Sequence, residues 1–301
     1  MKKAIIDLGT NTCNLLVAAH NNHEWQMLHS SKVAVKLGKG GINNNLLTPG
    51  ATQRAINALH THLESIKPFG EMHSIKVIAT SAVRDAENKA EFAQQLFEAT
   101  GLTLHIISGH EEANYIFNGV KLAMGKIPDH SLIMDIGGGS NEFILVKNNQ
   151  VAWKQSFPTG IARVVEQFQI SNPIKAQECE DIKAWFEVNM AELWTLKNYK
   201  INTLIGCSGS FDTVADITEN IAPNTKIRKA HKISIADFNT VCTQLIASTT
   251  EDRLAMQTME EMRVEMIVSA LLLIQLIVEK FAISQITQTD YSLKDGALLS
   301  N

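Results

Sequence analysis

Short apolar runs alternate with longer amphipathic stretches along this chain. Two apolar runs end at Asp7 and at Asp135, and each is followed by a glycine-containing turn and a second apolar run. Apolar residues with helical spacing follow at 51–66 and at 176–196, where they predict helices. Strands and helices in alternation are typical of α/β proteins, so we predict an α/β fold.

The first half of the chain resembles the second half in the order of these elements. Residues 5–12 read IIDLGTNT and residues 133–140 read IMDIGGGS, so in both an apolar strand ends in Asp and enters a glycine turn. A second apolar strand follows each turn, at 15–18 and at 143–146. The repetition predicts two similar lobes that face each other across a cleft.

Glycine and proline interrupt the pattern at 125–129, between the repeated halves. We therefore predict two domains, 1–125 and 126–301, with a terminal helix that can pack back on the first domain. A chain of 301 residues is long enough for two domains of ordinary size.

Composition limits the classes of function that the chain can have. Hydrophobic residues make up 45% and charged residues 19%, which is typical of a globular protein. The net charge of −4 argues against a nucleic-acid-binding protein, and a polyanionic ligand would need a local basic patch. The most apolar segment, 266–281, is interrupted by polar residues and is too short to span a membrane, so we predict a buried helix. A homodimer interface is the alternative place for this segment.

The cysteine pattern gives no sign of a zinc site or a disulfide framework. Cys13, Cys179, Cys207 and Cys242 lie far apart and form no C-x-x-C pair. The first residues contain Asp7 where a signal peptide has an apolar run. Both observations favour a cytoplasmic location, where thiols stay reduced.

Three glycine-containing turns are candidates for phosphate binding, at 7–12, 135–142 and 205–210. Glycine lets the backbone approach a ligand closely, and successive N–H groups can donate to phosphate oxygens. An ordinary turn explains the first and third equally well. Three consecutive glycines favour phosphate binding in the second, which lacks the G-K-[ST] of a Walker A loop and precedes a strand.

One acidic motif and one arginine are candidates for chemistry. Glu111 and Glu112 follow Ser108 and Gly109 at the predicted start of a helix, where acidic residues also stabilise the helix dipole. Adjacent residues of a helix point about 100° apart, so only one of the two glutamates can face a cleft squarely. Arg84, at a predicted strand–helix junction, can bind a phosphate or form a salt bridge at the surface.

Taken in this order, the motifs resemble those of the exopolyphosphatase/guanosine-pentaphosphatase (Ppx/GppA) family. The resemblance extends from Ile5 to about Leu298, and its most specific parts are 107–113 and 135–142. It implies a two-domain actin-like fold, of the sugar kinase/Hsp70/actin superfamily, with a ribonuclease H-like core and an interdomain cleft.

The resemblance also implies a role for each matching residue. Glu112 is expected to be the catalytic carboxylate that positions or deprotonates the attacking water, with Arg84 facing the cleft. Asp7, Asp135 and Glu142 are expected to be associated with Mg²⁺, the implied cofactor. The implied phosphate-binding residues are Gly9, Thr10, Asn11, Thr12, Gly137, Gly138, Gly139, Ser140, Ser208, Gly209 and Ser210.

The implied activity is that of a metal-dependent phosphohydrolase. It would release terminal orthophosphate from inorganic polyphosphate, from guanosine pentaphosphate, or from both. Two other classes stay open: a phosphotransferase of the same fold, which would need an acceptor pocket, and a regulatory protein that binds polyphosphate or guanosine tetraphosphate with little turnover. Nothing in the residues separates a polyphosphate chain from a nucleotide's phosphate tail.

Two segments depart from the family's usual pattern. Glu265 stands where Asp is usual, and residues 292–296 read SLKDG where GLREG is frequent. Lys294 therefore replaces an arginine, and a lysine cannot reproduce the two-pronged geometry of a guanidinium group.

Overall fold

Two mixed β-sheets form the centre of the part of the chain that the computed structural model describes, residues 1–21 and 24–300. The last residue of the predicted second domain, Asn301, lies outside the described residues. The strands of the first sheet are β1 (Lys2–Leu8), β2 (Thr12–Asn21), β3 (Glu24–Ala34), β4 (Ser74–Ala79) and β5 (Leu104–Ile106). The strands of the second sheet are β6 (Ser131–Ile136), β7 (Asn141–Lys147), β8 (Gln150–Phe157), β9 (Thr203–Cys207), β10 (His231–Ile233) and β11 (Gln285–Thr289).

Helices connect the strands and cover the sheets. In the first half these are α1 (Pro49–Ile66), α2 (Ser81–Arg84), α3 (Lys89–Thr100) and α4 (Gly109–Met124). In the second half they are α5 (Ile161–Gln167), α6 (Ala176–Asn189), α7 (Gly209–Glu219), α8 (Ile235–Ala247), α9 (Thr250–Leu254), α10 (Ile267–Phe281) and α11 (Leu293–Ala297). Short 3-10 helices lie at Ile42–Asn44, Lys67–Phe69, Ala191–Tyr199 and Glu261–Arg263.

The two sheets repeat one topology. The first has the order β3-β2-β1-β4-β5, and the second has the corresponding order β8-β7-β6-β9-β11, with β10 added at the edge. β1 runs antiparallel to β2 and parallel to β4, and β6 runs antiparallel to β7 and parallel to β9. Three antiparallel strands extended by parallel strands form a ribonuclease H-like sheet, and two such units make up an actin-like fold. The predicted fold class is therefore confirmed.

One predicted helix is shorter than its apolar spacing suggested. The helix predicted at 176–196 ends at Asn189, and Ala191–Tyr199 continues as a 3-10 helix. Met190, Leu193 and Leu196 are all buried in the core of the second half. Their spacing of three residues places them on one face of a 3-10 helix, which has three residues per turn, so burial of this face favours the tighter helix.

A shared apolar cluster lies between the sheets, in addition to one core on each sheet. It joins residues of β1, β2, α4, β6, β7 and α11, among them Ile5, Ile116, Ile133 and Leu298. α11 contacts β1, β2 and especially α4, so the last described helix packs on the first half. At Gly119 and Gly296 the two helices approach so closely that a Cβ atom at either position would overlap the backbone of the other.

The apolar segment predicted as a buried helix forms α10. Eleven of its fifteen residues are buried, and they pack in the core of the second half. Among the described residues, no helix combines the length and apolar character that crossing a membrane requires.

Candidate active site

The site residues predicted from the sequence lie together in one cleft between the two sheets, with one exception. The three glycine turns, the three acidic residues expected to be associated with a metal, and Glu112 all line it. Arg84 is the predicted site residue that does not. It lines a separate depression with Ser140, His110 and Ser156, and contacts the cleft through hydrogen bonds to Glu112 at 2.7 Å and to the Ser140 hydroxyl at 3.4 Å.

The first two glycine loops have the same turn and face each other. The Gly9 N–H donates to the Thr12 carbonyl and the Gly137 N–H donates to the Ser140 carbonyl, both at 3.0 Å. A Cβ atom at Gly139 would lie 2.5 Å from the Ser81 hydroxyl. Glycine at this position therefore lets the second half of the chain contact the first half. As a result, the backbone amides of both glycine loops line the same cleft.

The third glycine loop connects β9 to α7. Ser208 adopts a positive φ of 70°, a conformation that costs about 1–3 kcal/mol and tends to occur at functional sites. Its hydroxyl donates to the Ile136 carbonyl at 3.1 Å, which ties this loop to the strand before the second loop. The guanidinium group of Arg263 lies directly against Gly209, where a side chain would displace it. The N–H groups at the start of α7 thus join the cleft.

The two glutamates of the acidic motif point to different sides of α4. Glu111 is exposed and forms a capping box, accepting from the Ser108 N–H at 2.9 Å. Glu112 is 7% exposed and lines the cleft. Its Oε2 accepts from Nη1 of Arg84 at 2.7 Å, so one carboxylate oxygen is held and Oε1 is left for a ligand or water.

Burial and neighbouring charge give Glu112 the properties of a proton acceptor. Burial, together with the negative charge of Glu142, raises the pKa of Glu112 well above its usual range, and Arg84 opposes the rise. Burial also raises the pKa of Glu142 to about 7, although its Oε1 accepts from the hydroxyls of Ser140 at 2.7 Å and Ser156 at 2.6 Å. A carboxylate with a raised pKa takes a proton more readily near neutral pH.

Asp7 and Asp135 lie at the equivalent ends of β1 and β6. Burial and, to a smaller extent, the charge of Asp135 raise the pKa of Asp7 to about 6, although the Asn14 amide, which donates to Asp7 at 3.1 Å, opposes the rise. Burial likewise raises the pKa of Asp135, which accepts from the Ser292 hydroxyl. No cation pairs with either carboxylate among the described residues.

The carboxylates of the cleft fit a Mg²⁺ site in which phosphate oxygens of a bound ligand complete the coordination of the metal ion. Within the described ranges, no three His, Cys, Asp or Glu side chains come together as a metal cage. Mg²⁺ is commonly held by one or two carboxylates, with phosphate oxygens and water in its other positions. Asp7 and Asp135 supply two such carboxylates beside the phosphate-binding loops, and a divalent cation would relieve their mutual repulsion.

Three cations line the cleft in addition to the site residues predicted from the sequence. Lys32, on the edge strand β3, lines the cleft, as do Arg263 and Lys294. Burial alone would lower the pKa of Lys294, but Asp295 and the other carboxylates of the cleft raise it, so its amine stays charged. These cations supply the local basic patch that the net charge of the chain does not. Lys32 had no signal in the sequence, whereas Arg263 and Lys294 lie in segments that match the family, Lys294 at a position where the family often has arginine.

A buried arginine also joins the two halves beside the second glycine loop. Arg163, on α5, donates to the Gly139 carbonyl, to the Ile42 carbonyl and to Asp85, each at 2.9 Å. Gly139 belongs to the second half, while Ile42 and Asp85 belong to the first. Asp85 follows Arg84, so this contact connects the second loop to the segment that holds Glu112.

Comparisons with known proteins agree with this arrangement. The sequence pattern of the Ppx/GppA phosphatase family matches residues 16–301. A solved exopolyphosphatase from Cytophaga hutchinsonii is 34% identical, with a TM-score of 0.93 over 99% of this chain and 96% of that one. Exopolyphosphatase 2 of Mycobacterium tuberculosis is 27% identical over 99% of this chain and 97% of its own length. The bifunctional 3-dehydroquinate synthase/phosphatase of Fusobacterium nucleatum is 33% identical over 73% of this chain, which spans 34% of that protein.

The family match covers residues 16–301, which include the second sheet, the first sheet apart from β1 and the start of β2, and the second and third glycine loops. The solved relative has the same overall structure at more than 30% identity. The resemblance inferred from the motifs is therefore confirmed. The chain belongs to the Ppx/GppA phosphatase family and is a hydrolase of the exopolyphosphatase kind.

Proposed function

We propose that this protein releases terminal orthophosphate from inorganic polyphosphate with the help of Mg²⁺, in the cytoplasm. The observation that carries this proposal is the convergence of two facing glycine loops and one buried, Arg-held glutamate on a single cleft. The loops offer donors to consecutive phosphates, and the glutamate offers an acceptor for a proton of water. Phosphate binding and water activation are the two requirements for hydrolysis of a phosphoanhydride bond.

Glu112 acts as the base or as the residue that orients water. Arg84 fixes its Oε2, so Oε1 keeps one direction toward the cleft. A water held by Oε1 would attack the terminal phosphorus, and its proton would pass to the carboxylate as the anhydride bond breaks. Positioning of this kind contributes more to phosphoryl transfer than covalent chemistry does.

The loops and the cations hold the phosphate chain during this step. Backbone N–H groups at Gly9–Thr12 and Gly137–Ser140 would donate to the terminal phosphates. Lys294 remains charged in the buried end of the cleft, where a cation can stabilise the negative charge of the departing chain. Because these groups are already in place, little reorganisation accompanies the reaction.

Asp7 and Asp135 would hold the metal ion. When bound there, Mg²⁺ would neutralise charge on the phosphate oxygens. The two aspartates orient it through their fixed positions at the ends of β1 and β6, and the Ser292 hydroxyl orients the Asp135 carboxylate. Glu142 lies deeper, where Ser140 and Ser156 occupy its Oε1, so we assign it a role in positioning Ser140 and in raising the pKa of Glu112.

The lining of the cleft favours polyphosphate over guanosine pentaphosphate. No aromatic side chain is among the described residues that line it, so a guanine base would find no stacking partner there. Small polar residues, glycines and cations make up most of the surface. Guanosine pentaphosphate remains the second substrate to be compared, because its phosphate tail presents the same consecutive phosphates to the loops.

The test is phosphate release by the purified protein from short polyphosphate, long polyphosphate and guanosine pentaphosphate. Each substrate would be assayed with Mg²⁺ and with EDTA. We expect release from polyphosphate that requires the metal and is slower from guanosine pentaphosphate. Transfer of phosphate to an added nucleotide without release would favour the phosphotransferase, and tight binding without release would favour the regulatory protein.

A further inference from the structure

The first turn of α5 lies against the second glycine loop and binds the carbonyl groups of that loop. The Ile161 N–H donates to the Gly137 carbonyl at 3.0 Å, and the Ala162 N–H donates to the Gly138 carbonyl at 2.8 Å. Gly160, directly before α5, allows this close approach, since a Cβ atom there would overlap the Gly138 carbonyl. The amides at the start of α5 are therefore used by the loop and do not bind a ligand themselves.

Arg163 binds the carbonyl of the third glycine. Its Nε donates to the Gly139 carbonyl at 2.9 Å, and the Gly160 N–H donates to the same oxygen at a longer 3.3 Å. The two terminal nitrogens of this guanidinium group donate to the Ile42 carbonyl and to Asp85 of the first half, each at 2.9 Å. The direction of the Gly139 carbonyl thus depends mainly on a side chain that both halves of the chain hold in place.

The direction of these three carbonyls determines the direction of three amides. In a planar trans peptide unit, the C=O of one residue and the N–H of the next point in opposite directions, and no peptide bond of this loop is cis. The N–H groups of Gly138, Gly139 and Ser140 therefore point away from α5. None of them donates to another group among the described residues, and all three residues line the cleft. Successive free N–H groups of this kind form an anion-binding concavity.

The amide of Gly137 differs from the three that follow it. It donates to the Ser140 carbonyl at 3.0 Å and so closes the turn of the loop. A phosphate can bind the three following amides without breaking this turn, whereas it cannot bind the Gly137 amide. Gly137 therefore supplies a reference amide within the same loop.

We propose that Arg163 is a positioning residue for phosphate binding, which holds the peptide between Gly139 and Ser140 with the Ser140 N–H toward a phosphate of the bound chain. The first turn of α5 holds the two preceding peptides in the same way. Arg163 acts through the loop, because each of its three nitrogens already donates to a protein acceptor. The inference rests on the proposed function, since it takes a phosphate chain as the ligand of the cleft.

The amide resonances of the loop test this assignment directly. Protein labelled with ¹⁵N-glycine and ¹⁵N-serine would be titrated with tripolyphosphate and Mg²⁺ in the Glu112→Gln background, in which binding is measured without turnover. We expect the amide protons of Gly138, Gly139 and Ser140 to move downfield as they bond phosphate oxygens. The amide proton of Gly137 should stay near its starting position.

Arg163→Gln should selectively remove the downfield shift of Ser140, since the Gly139 carbonyl loses its shorter hydrogen bond. The shifts of Gly138 and Gly139 should remain, because backbone N–H groups of α5 still hold the two preceding peptides. The dissociation constant for tripolyphosphate should rise about tenfold, the effect of one lost hydrogen bond to a charged group. In the active background, KM for polyphosphate should rise by a similar factor with a smaller change in kcat, because the amide binds phosphate before the reaction as well as during it.

Arg163→Lys separates the loss of the hydrogen bond from the loss of the charge. Lysine keeps a positive charge beside Asp85 but cannot reproduce the separate directions of a guanidinium group. Ser140 should therefore lose its shift again, while the melting temperature should lie closer to that of wild type than in Arg163→Gln.

The matched control is Arg253→Gln. Arg253 is buried to the same degree, at 7% exposed against 8% for Arg163, and it also donates to two carbonyl groups. Neither carbonyl belongs to a glycine loop. The control should lower the melting temperature and leave the shifts of all three loop amides intact.

Three results would overturn the assignment: no downfield shift at Gly138, Gly139 and Ser140 on saturation with tripolyphosphate, an equal loss at all three in Arg163→Gln, or an unchanged Ser140 shift in that variant. If Arg163→Gln does not fold, Arg163→Lys decides the matter by the same resonance. If wild-type protein releases no phosphate from polyphosphate, the proposed function fails, while the amide resonances still decide the role of Arg163.

Discussion

Nη1 of Arg84 lies 2.7 Å from Oε2 of Glu112, in a pair whose glutamate is almost wholly buried and whose arginine faces a different depression. The sequence left open whether this arginine binds a phosphate or forms a salt bridge. In the structure it is a partner of the carboxylate, with a further hydrogen bond to the Ile107 carbonyl at 3.3 Å. The orientation and the pKa of Glu112 therefore depend on a residue outside the cleft.

Glu112→Gln should reduce phosphate release by at least about a hundredfold, since amide replaces the proton acceptor. Binding of tripolyphosphate should change little, because the glycine loops and cations remain in place. Calorimetry and a phosphate-release assay would measure the two effects separately. Glu111→Gln is the matched control, and glutamine can keep the capping box with Ser108. Normal hydrolysis by Glu112→Gln would exclude it as the base.

Arg84→Gln should move the acidic limb of the pH–rate profile to higher pH. Burial and Glu142 raise the pKa of Glu112 and Arg84 opposes them, so loss of the arginine raises this pKa further. The base form then becomes scarce at neutral pH, where kcat/KM should fall about tenfold or more and recover partly as pH increases. The pH–rate profile of Arg84→Lys should lie between those of wild type and Arg84→Gln. An unchanged acidic limb in Arg84→Gln would mean that the pair does not set this pKa.

Asp7→Asn should stabilise the metal-free protein at neutral pH. Burial raises the pKa of Asp7 from 3.8 to about 6, so its protonated form is favoured by folding. That contribution is fully present below pH 3.8 and is lost as pH rises through about 6. Wild type should therefore lose stability relative to Asp7→Asn over this window, by at most about 3 kcal/mol.

Denaturant unfolding in EDTA between pH 4 and pH 8 would measure this difference. Asp181→Asn, at an exposed position of α6, should give a curve parallel to wild type. Mg²⁺ added at pH 8 should raise the melting temperature of wild type more than that of Asp7→Asn, because a bound ligand stabilises only the form that binds it. Equal stabilisation of both proteins would remove Asp7 from the metal site.

Gly139→Ala should separate the two phosphate loops. The added methyl group would lie 2.5 Å from the Ser81 hydroxyl and 2.6 Å from that of Thr10, so one loop must move. We expect kcat/KM to fall about a hundredfold, since a displacement of about 1 Å at a reacting group has effects of this size. Gly50→Ala, in the first turn of α1, has its nearest atom at 3.3 Å and should keep full activity. Wild-type kinetics in Gly139→Ala would show that the loops do not act together.

The sequence predicted the loops of the cleft but not its cations. The glycine turns and Glu112 could be located because each lies in a short contiguous motif at the end of a strand or the start of a helix. Lys32 lies within β3, where nothing in the local pattern separates it from any other lysine of an edge strand. Its position in the cleft depends on how the two sheets are placed against each other.

Arg163 escaped prediction for a related reason. An arginine in a short amphipathic helix ordinarily lies at the surface, whereas this one is buried with all of its hydrogen bonds made to distant segments. Its partners Ile42 and Asp85 belong to the other half of the chain, and the motif that contains Asp85 gives no sign of this contact. Contacts between the two halves of the chain cannot be predicted from short sequence motifs, because the residues that form them are far apart in the sequence.

The packing of α11 on α4 also sets an order of events during protein synthesis. α4, which carries Glu112, leaves the ribosome long before α11, and at ordinary translation rates the interval is about 10 to 30 s. Until then the face of α4 around Gly119 lacks its cover, and the apolar cluster between the sheets lacks Leu293 and Leu298. A nascent chain therefore carries Glu112, the proposed catalytic residue, on an incompletely anchored helix until α11 has docked on α4.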